Sequence, residues 1–297
     1  MRDQQKAYAY ALLAVLAWST VATAFKIALR HLFFIELLFY ASLTSLLVLA
    51  AIAAATGQSQ AIRRCTRRDL LSSALLGFLN PFAYYLILFK AYSCLPAQIA
   101  QPLNYTWAVV IVILSAVFLK QRVTAARAAA ILISYAGVWV IATGGRVDRL
   151  GPADTSGVIL ALASSVIWAS YWLANTRDRR DPTVKLLLNS AFGFLYVAVV
   201  MFIFYAPFRR PWPDFTGIAG AVYVGIFEMG ITFILWLRAL RLSRTTAQVS
   251  NLIFLSPFVS LVLINYVLGE RVRLSSVIGL ILIVAGILLP QLKKSRP

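Results

Sequence analysis

A carboxyl group in the middle of an apolar run is the most chemically pointed feature of this chain. Glu228 lies between Gly225 and Gly230, with Ile226, Phe227 and Met229 beside it. Placing it in hydrocarbon costs several kcal/mol unless it takes a proton, finds a partner or faces water. It reads either as a functional acid or as a hydrogen-bonded structural glutamate. Asn80, 148 residues earlier and followed by Pro81, occupies the matching place in another apolar run.

Aromatic and amide residues recur around these two. Trp168, Tyr171, Trp172 and Asn175 follow at i, i+3, i+4 and i+7, one face of a helix, and Trp18 matches Trp168 at a shift of 150. Tyr84 stands one helical turn after Asn80. Gln98, Gln101, Asn104, Tyr105 and Trp107 interrupt a further apolar run, and Gln248 and Asn251 interrupt another. Each aromatic alone fits ordinary packing or a belt at the membrane surface. Together, mid-span indoles, phenols and amides fit a cavity with stacking surfaces and hydrogen bonds for a small amphipathic solute. Pro81, Pro102 and Pro257 lie inside apolar runs, where each removes a backbone hydrogen bond; such kinks serve as hinges or as static bends.

Other chemistries lack their residues. His31 is the only histidine, and the expected topology puts the two cysteines, Cys65 and Cys94, on opposite faces of the membrane, so no metal site of His and Cys ligands is expected. Neither a phosphate-binding Gly-rich loop with Lys-Ser/Thr nor a His-Glu-x-x-His pair occurs. No cofactor is expected.

The elements that must position these groups follow from composition. With 61% hydrophobic and only 13% charged residues in 297, and a mean hydropathy of +0.82, the chain cannot present a soluble surface, for which about a quarter charged residues is usual. Ten apolar stretches are read, at 7–29, 33–55, 70–92, 98–119, 124–144, 157–176, 184–206, 216–240, 246–268 and 273–291. Each suits a helix crossing a ~30 Å hydrocarbon core. Small residues such as Gly137 and Gly286 suit close helix packing.

The second half repeats the first. At a shift of 149, Leu103 meets Leu252, Arg122-Val123 meet Arg271-Val272, and Ala136-Gly137 meet Ala285-Gly286. Five spans per copy is an odd number, so the second copy enters the bilayer in the opposite sense, the inverted-repeat plan of secondary transporters. The expected fold is therefore all-α and integral to the membrane, with ten transmembrane helices in two inverted five-helix repeats around a central cavity. Residues 1–145 form the first repeat, 146–156 a periplasmic linker, 157–292 the second repeat and 293–297 a basic cytoplasmic tail.

The formal charge of +18 reports topology rather than nucleic-acid binding. With the N-terminus inside, nineteen of the 28 Lys and Arg fall on the cytoplasmic side. Both termini are then cytoplasmic, and Cys65 and Cys94 lie on opposite sides, which forbids a disulfide. The opening MRDQQK with its apolar run imitates a signal peptide, but its match to the sixth span makes it the first helix of the repeat.

Leu16-Ala17-Trp18-Ser19-Thr20, the Ala-Gly pairs of the fifth and tenth spans, and Glu270-Arg271-Val272 resemble the EamA-type drug/metabolite transporter superfamily over nearly the whole chain. Asn104-Tyr105-Thr106-Trp107 and Ile167-Trp168-Ala169-Ser170-Tyr171 look like the YddG-type aromatic amino-acid exporters. Asn80-Pro81 departs from that subgroup, replacing an aromatic-acidic pair. The resemblance implies export of amino acids and related metabolites across a bacterial inner membrane, with Trp18, Tyr105, Trp107 and Trp168 lining the cavity.

The expectation is a secondary transporter of aromatic or broadly apolar amino acids working by alternating access. Trp18, Tyr84, Trp168 and Tyr171 would contact the side chain. Asn80, Gln101, Asn104 and Asn251 would hold the amino and carboxylate groups, and Glu228 would attract the ammonium or take a proton. Expected partners are the small-molecule substrate and the lipid bilayer, not nucleic acid, with the protein a monomer or weak homodimer. A multidrug or other small-metabolite exporter, an intramembrane lipid-modifying enzyme and a purely structural membrane protein are the alternatives.

Overall fold

The structure, a computed structural model, describes residues 2–118, 125–144, 152–205, 212–244, 249 and 251–294. The expected tail (mostly), most of the expected linker, Lys120, Arg122, Pro207, Pro211 and Gln248 lie outside them. Every regular element among the described residues is helical: α1 Arg2–Ala28, α2 Phe34–Ala55, α3 Ser59–Arg63, α4 Arg67–Gly77, α5 Tyr84–Cys94, α6 Ala97–Asn104, α7 Trp107–Phe118, α8 Ala125–Thr143, α9 Pro152–Asn175, α10 Pro182–Val200, α11 Phe215–Phe227, α12 Ile231–Leu242, α13 Ser256–Leu268 and α14 Leu274–Lys294. Helix α9 thus starts inside the stretch expected as linker.

Among the described residues, eight segments are long and apolar enough to cross a membrane: Asp3–Ala28, Phe34–Ala55, Arg67–Cys94, Ala97–Leu114, Thr155–Asn175, Pro182–Tyr205, Phe215–Leu242 and Asn251–Leu268. Two shorter apolar helices, Ala128–Thr143 and Leu274–Leu288, complete the apolar set. Leu13, Leu16, Leu71, Leu75, Leu132, Trp139, Phe204 and many others project outward. So much exposed apolar surface is stable only against lipid.

Inside, the long helices meet partners from the other half of the chain. α1 packs on α11, α12 and α13, while α9 packs on α5, α6 and α7. α2 packs on α10 and α11, α10 on α4, and α8 lies along α14. Small residues set the closest approaches. A Cβ at Gly77 would meet the carbonyl oxygen of Asn189, and one at Gly225 that of Ala41. Gly137 and Gly279 are pressed on each other's carbonyls, and Ser134 Oγ donates to the Ile283 carbonyl at 3.3 Å.

Several spans are interrupted. Asn80 leaves helical geometry at φ −147°, ψ 118°, within a π-helical turn, Phe78–Ala83, that joins α4 to α5; its peptide to Pro81 is cis. Glu228-Met229-Gly230 separates α11 from α12. Tyr105-Thr106 separates α6, which contains Pro102, from α7. A 3₁₀ turn, Asn251–Leu255, leads into α13. Pro257 is therefore in the first turn of α13, not the middle of a continuous helix. Its missing N–H falls where no intrahelical bond would form.

Candidate functional site

The interruptions at Asn80 and Glu228 face one another across the interior. Each break frees backbone groups that need partners. At the second break, Ser45 of α2 donates to the Met229 carbonyl at 2.8 Å, and the Thr232 hydroxyl bonds the Phe227 carbonyl. Glu228 is 8% exposed, and Tyr85 Oη donates to its Oε1 at 2.9 Å. Consecutive tyrosines on α5 thereby serve two sites. Tyr84 Oη donates to Asn104 Oδ1 at 3.1 Å, and Asn104 Nδ2 donates to Ser164 Oγ on α9 at 2.9 Å.

Aromatic rings fill the space between these bonds. Tyr84 stacks on Trp168 with centroids 4.4 Å apart and planes 28° apart. Trp168 also meets Tyr171 and Phe233, at 5.9 and 5.7 Å. Trp18 approaches the same Phe233 at 5.7 Å and Trp236 at 5.5 Å. Such contacts are worth about 0.5–1.5 kcal/mol each beyond simple burial.

Beside this cluster is a small cavity. Its wall is formed by Asn80 and Pro81 of the π turn, Tyr85, Tyr171, Phe233 and Met229, with Ser45 and Leu49 from α2 and Leu186, Asn189 and Ser190 from α10. Its free volume is about 20 Å³, room for about one water.

The sequence-derived candidates divide accordingly. Asn80 and Tyr171 line the cavity; Glu228 joins it through Tyr85, and Trp18, Tyr84 and Trp168 join it through ring contacts. Asn104 is tied to Tyr84. Tyr105 lies beside Ser256, Gln101 is buried with Oε1 unpartnered, and Trp107 packs against the core partly buried. Asn251 is exposed at the start of the 3₁₀ turn and does not join the cluster. Sequence reasoning passed over Ser45, Tyr85, Asn189, Ser190 and Phe233. Asn189 carried a usable signal: an amide directly after Leu186-Leu187-Leu188, deep in an apolar run.

Polar ties close both ends of the Arg67–Cys94 span. At its far end, Glu270 accepts from the backbone N–H groups of Ala97 and Gln98 at 3.1 and 3.3 Å, capping α6. Gln98 bonds the backbone of Arg271 and Arg273; it serves as a joint rather than a chamber wall. Lys26 Nζ donates to the carbonyls of Tyr92 and Leu95, both at 3.0 Å. At the near end, Arg180 Nη2 donates to Asp178 at 2.6 Å and to Ser73 of α4 at 2.8 Å. Burial pushes the Asp178 carboxyl up, but the Arg180 hydrogen bonds and charge pull it further down, and it ends below its ordinary value.

An aromatic-lined cavity at broken helices within a lipid-facing bundle fits a membrane carrier. The model of the EamA-like transporter family matches twice, over residues 5–143 and 155–290. The chain belongs to that family and is a multi-pass membrane transporter. It is 29% identical over 287 residues to a probable terminal-alkyne amino-acid exporter of Streptantibioticus cattleyicolor, covering 93% of this chain and 90% of the relative. It is 29% identical over 157 residues to the aromatic amino acid exporter YddG of Ancylobacter novellus, covering 52% and 53%. An uncharacterized transporter, YxxF, of Bacillus subtilis shares 25% identity across 87% of this chain and 81% of its own length. A solved crystal structure superposes with a TM-score of 0.69 over 97% of both chains at 23% identity, a likeness of fold.

Proposed function

We propose that this protein is a secondary transporter exporting amino acids, aromatic or broadly apolar, and related metabolites across the inner membrane by alternating access. The observation that carries the proposal is the convergence of Asn80 and Glu228, each at a break in its span, with Trp18, Tyr84, Trp168 and Tyr171. Interrupted helices are where secondary transporters build substrate sites, because irregular backbone in the membrane must face protein or a wet cavity. The rings now stacked on one another would offer their faces to an apolar or aromatic side chain once the chamber opens. Pro81 and Pro102, beside two of the breaks, and Pro257, at the start of α13, are the proposed hinges.

Ten spans in two inverted repeats account for the packing. Gly77 against Asn189 and Gly225 against Ala41 are the same contact displaced by 148 residues in both partners. Ser134 bonds Ile283, its own counterpart at a shift of 149. A pseudo-two-fold axis through the α8–α14 crossing produces both. The Lys and Arg distribution supports cytoplasmic termini. Residues 1–145 and 157–292 are the two repeats in this arrangement.

Flux of labelled phenylalanine, tryptophan and leucine through purified protein in liposomes tests the proposal; saturable flux above protein-free vesicles is expected. An acid among aromatic rings also suits lipophilic cations, so a multidrug carrier is the competing reading. Inhibition by tetraphenylphosphonium without flux of any amino acid would favour it.

A further inference from the structure

Four polar atoms in the cavity wall have no hydrogen-bond partner: both side-chain atoms of Asn189, Ser190 Oγ and Asn80 Oδ1. Their residues are 2%, 5% and 7% exposed, respectively, so bulk solvent does not serve them. Buried polar groups are almost always satisfied, and a cluster that is not calls for a water or for a ligand that takes its place. Neighbouring polar groups are engaged: Ser45 with Met229, Tyr85 with Glu228, Asn104 with Tyr84 and Ser164. The Tyr171 hydroxyl lies beside both amides, too loosely to satisfy either atom of Asn189.

Packing does not require the Asn189 amide. The contact of α10 with Gly77 is made through the Asn189 backbone carbonyl, and the equivalent contact of α2 with Gly225 is made by Ala41. An alanine suffices in one half, so the amide in the other half has a different use. Nor does the wall contain Lys, Arg, Asp or Glu. An uncharged set rich in both donors and acceptors matches a head group of zero net charge that carries both.

We infer that Asn189, Ser190 and Asn80 form a subsite for the dipolar head of a zwitterionic α-amino acid, an inference resting on the amino-acid reading above. Asn80 Oδ1 and Asn189 Oδ1 accept from the ammonium, while Asn189 Nδ2 and the Ser190 hydroxyl donate to the carboxylate. Glu228, held by Tyr85, stands behind this subsite rather than in it. Net charge on the cargo is then selected against: N-acetylation or amidation of the amino acid removes one of the two complementary ends.

The test is thermal unfolding of purified wild type, Asn189→Leu and Ser190→Ala, each alone and with L-phenylalanine, N-acetylphenylalanine, phenylalaninamide or tetraphenylphosphonium. L-Phenylalanine should raise the wild-type midpoint more than either derivative. Asn189→Leu should unfold at the same or a higher temperature without ligand, since an unsatisfied amide is replaced by an apolar group, and its half-saturating phenylalanine concentration should rise about tenfold or more. Should Asn189→Leu fail to fold, the same loss of response is expected of Ser190→Ala. A lower midpoint with an undiminished response to phenylalanine would make the amide structural and overturn the inference. Wild type responding to tetraphenylphosphonium alone would defeat the amino-acid reading. In that event a response surviving in Asn189→Leu sinks the subsite as well, whereas its loss keeps the subsite and overturns only the zwitterion assignment.

Discussion

Glu228 shows how a carboxyl group is made tolerable in an apolar interior. Tyr85 gives it a hydrogen bond at 2.9 Å, and the break after α11 frees it from a continuous helix. Removing the donor with Tyr85→Phe should cost about 1–3 kcal/mol of stability, as for a buried acceptor left unsatisfied, measured as a lower unfolding midpoint. Glu228→Gln keeps an acceptor for Tyr85 and should fold normally while lowering amino-acid flux. At the near end, Asp178 has its pKa lowered in the folded protein. Its bond to Arg180 therefore contributes fully above the ordinary carboxylate value of about 4 and is lost as pH falls through the lower, folded value. The stability advantage of wild type over Asp178→Asn should accordingly shrink in acid, as unfolding curves from neutral to acidic pH would register.

Helices, unlike single residues, were legible to very different degrees. Apolar length located the eight segments long enough to cross a membrane and two shorter apolar helices, because lipid demands a helix wherever a run of about 20 apolar residues occurs. Breaks were legible only where an imino acid marks them: Pro81 announces the Asn80 interruption, whereas nothing in Tyr105-Thr106 or Glu228-Met229-Gly230 fixes where a helix stops. Pro257 was read as a kink but begins a helix, after the 3₁₀ turn Asn251–Leu255. Gln98 and Asn251 shared the polarity of the site residues, yet one braces a helix terminus and the other is exposed. Periodicity assigns a face, not the neighbour that the face meets. Close approach is the physical constraint at this scale. Gly77→Val and Gly225→Val would each drive a side chain into a carbonyl oxygen of the facing helix. Losses of about 1–3 kcal/mol are expected, similar for the two if the contacts are equivalent, and thermal unfolding compares them directly.

For the whole molecule, duplication explains more than it restricts. In the proposed arrangement, two copies with an odd number of spans would supply a pair of broken helices, unequal in their residues: asparagine and proline in one, an acid in the other. The free thiols Cys65 and Cys94 report on the arrangement. A membrane-impermeant maleimide should label Cys65 only from the cytoplasmic face and Cys94 only from the outer face; labelling of both from one side would refute the proposed topology. In the proposed carrier, cargo would reach the small cavity beside Asn80 only after α10 and the π turn separate, so flux should saturate. The most direct measurement is exchange of labelled L-phenylalanine across liposomes containing the purified protein. Saturable exchange, lost in the Asn80→Ala/Trp168→Ala double variant although that variant folds, is the predicted result. Flux no greater than in empty vesicles for phenylalanine and every other amino acid would contradict it.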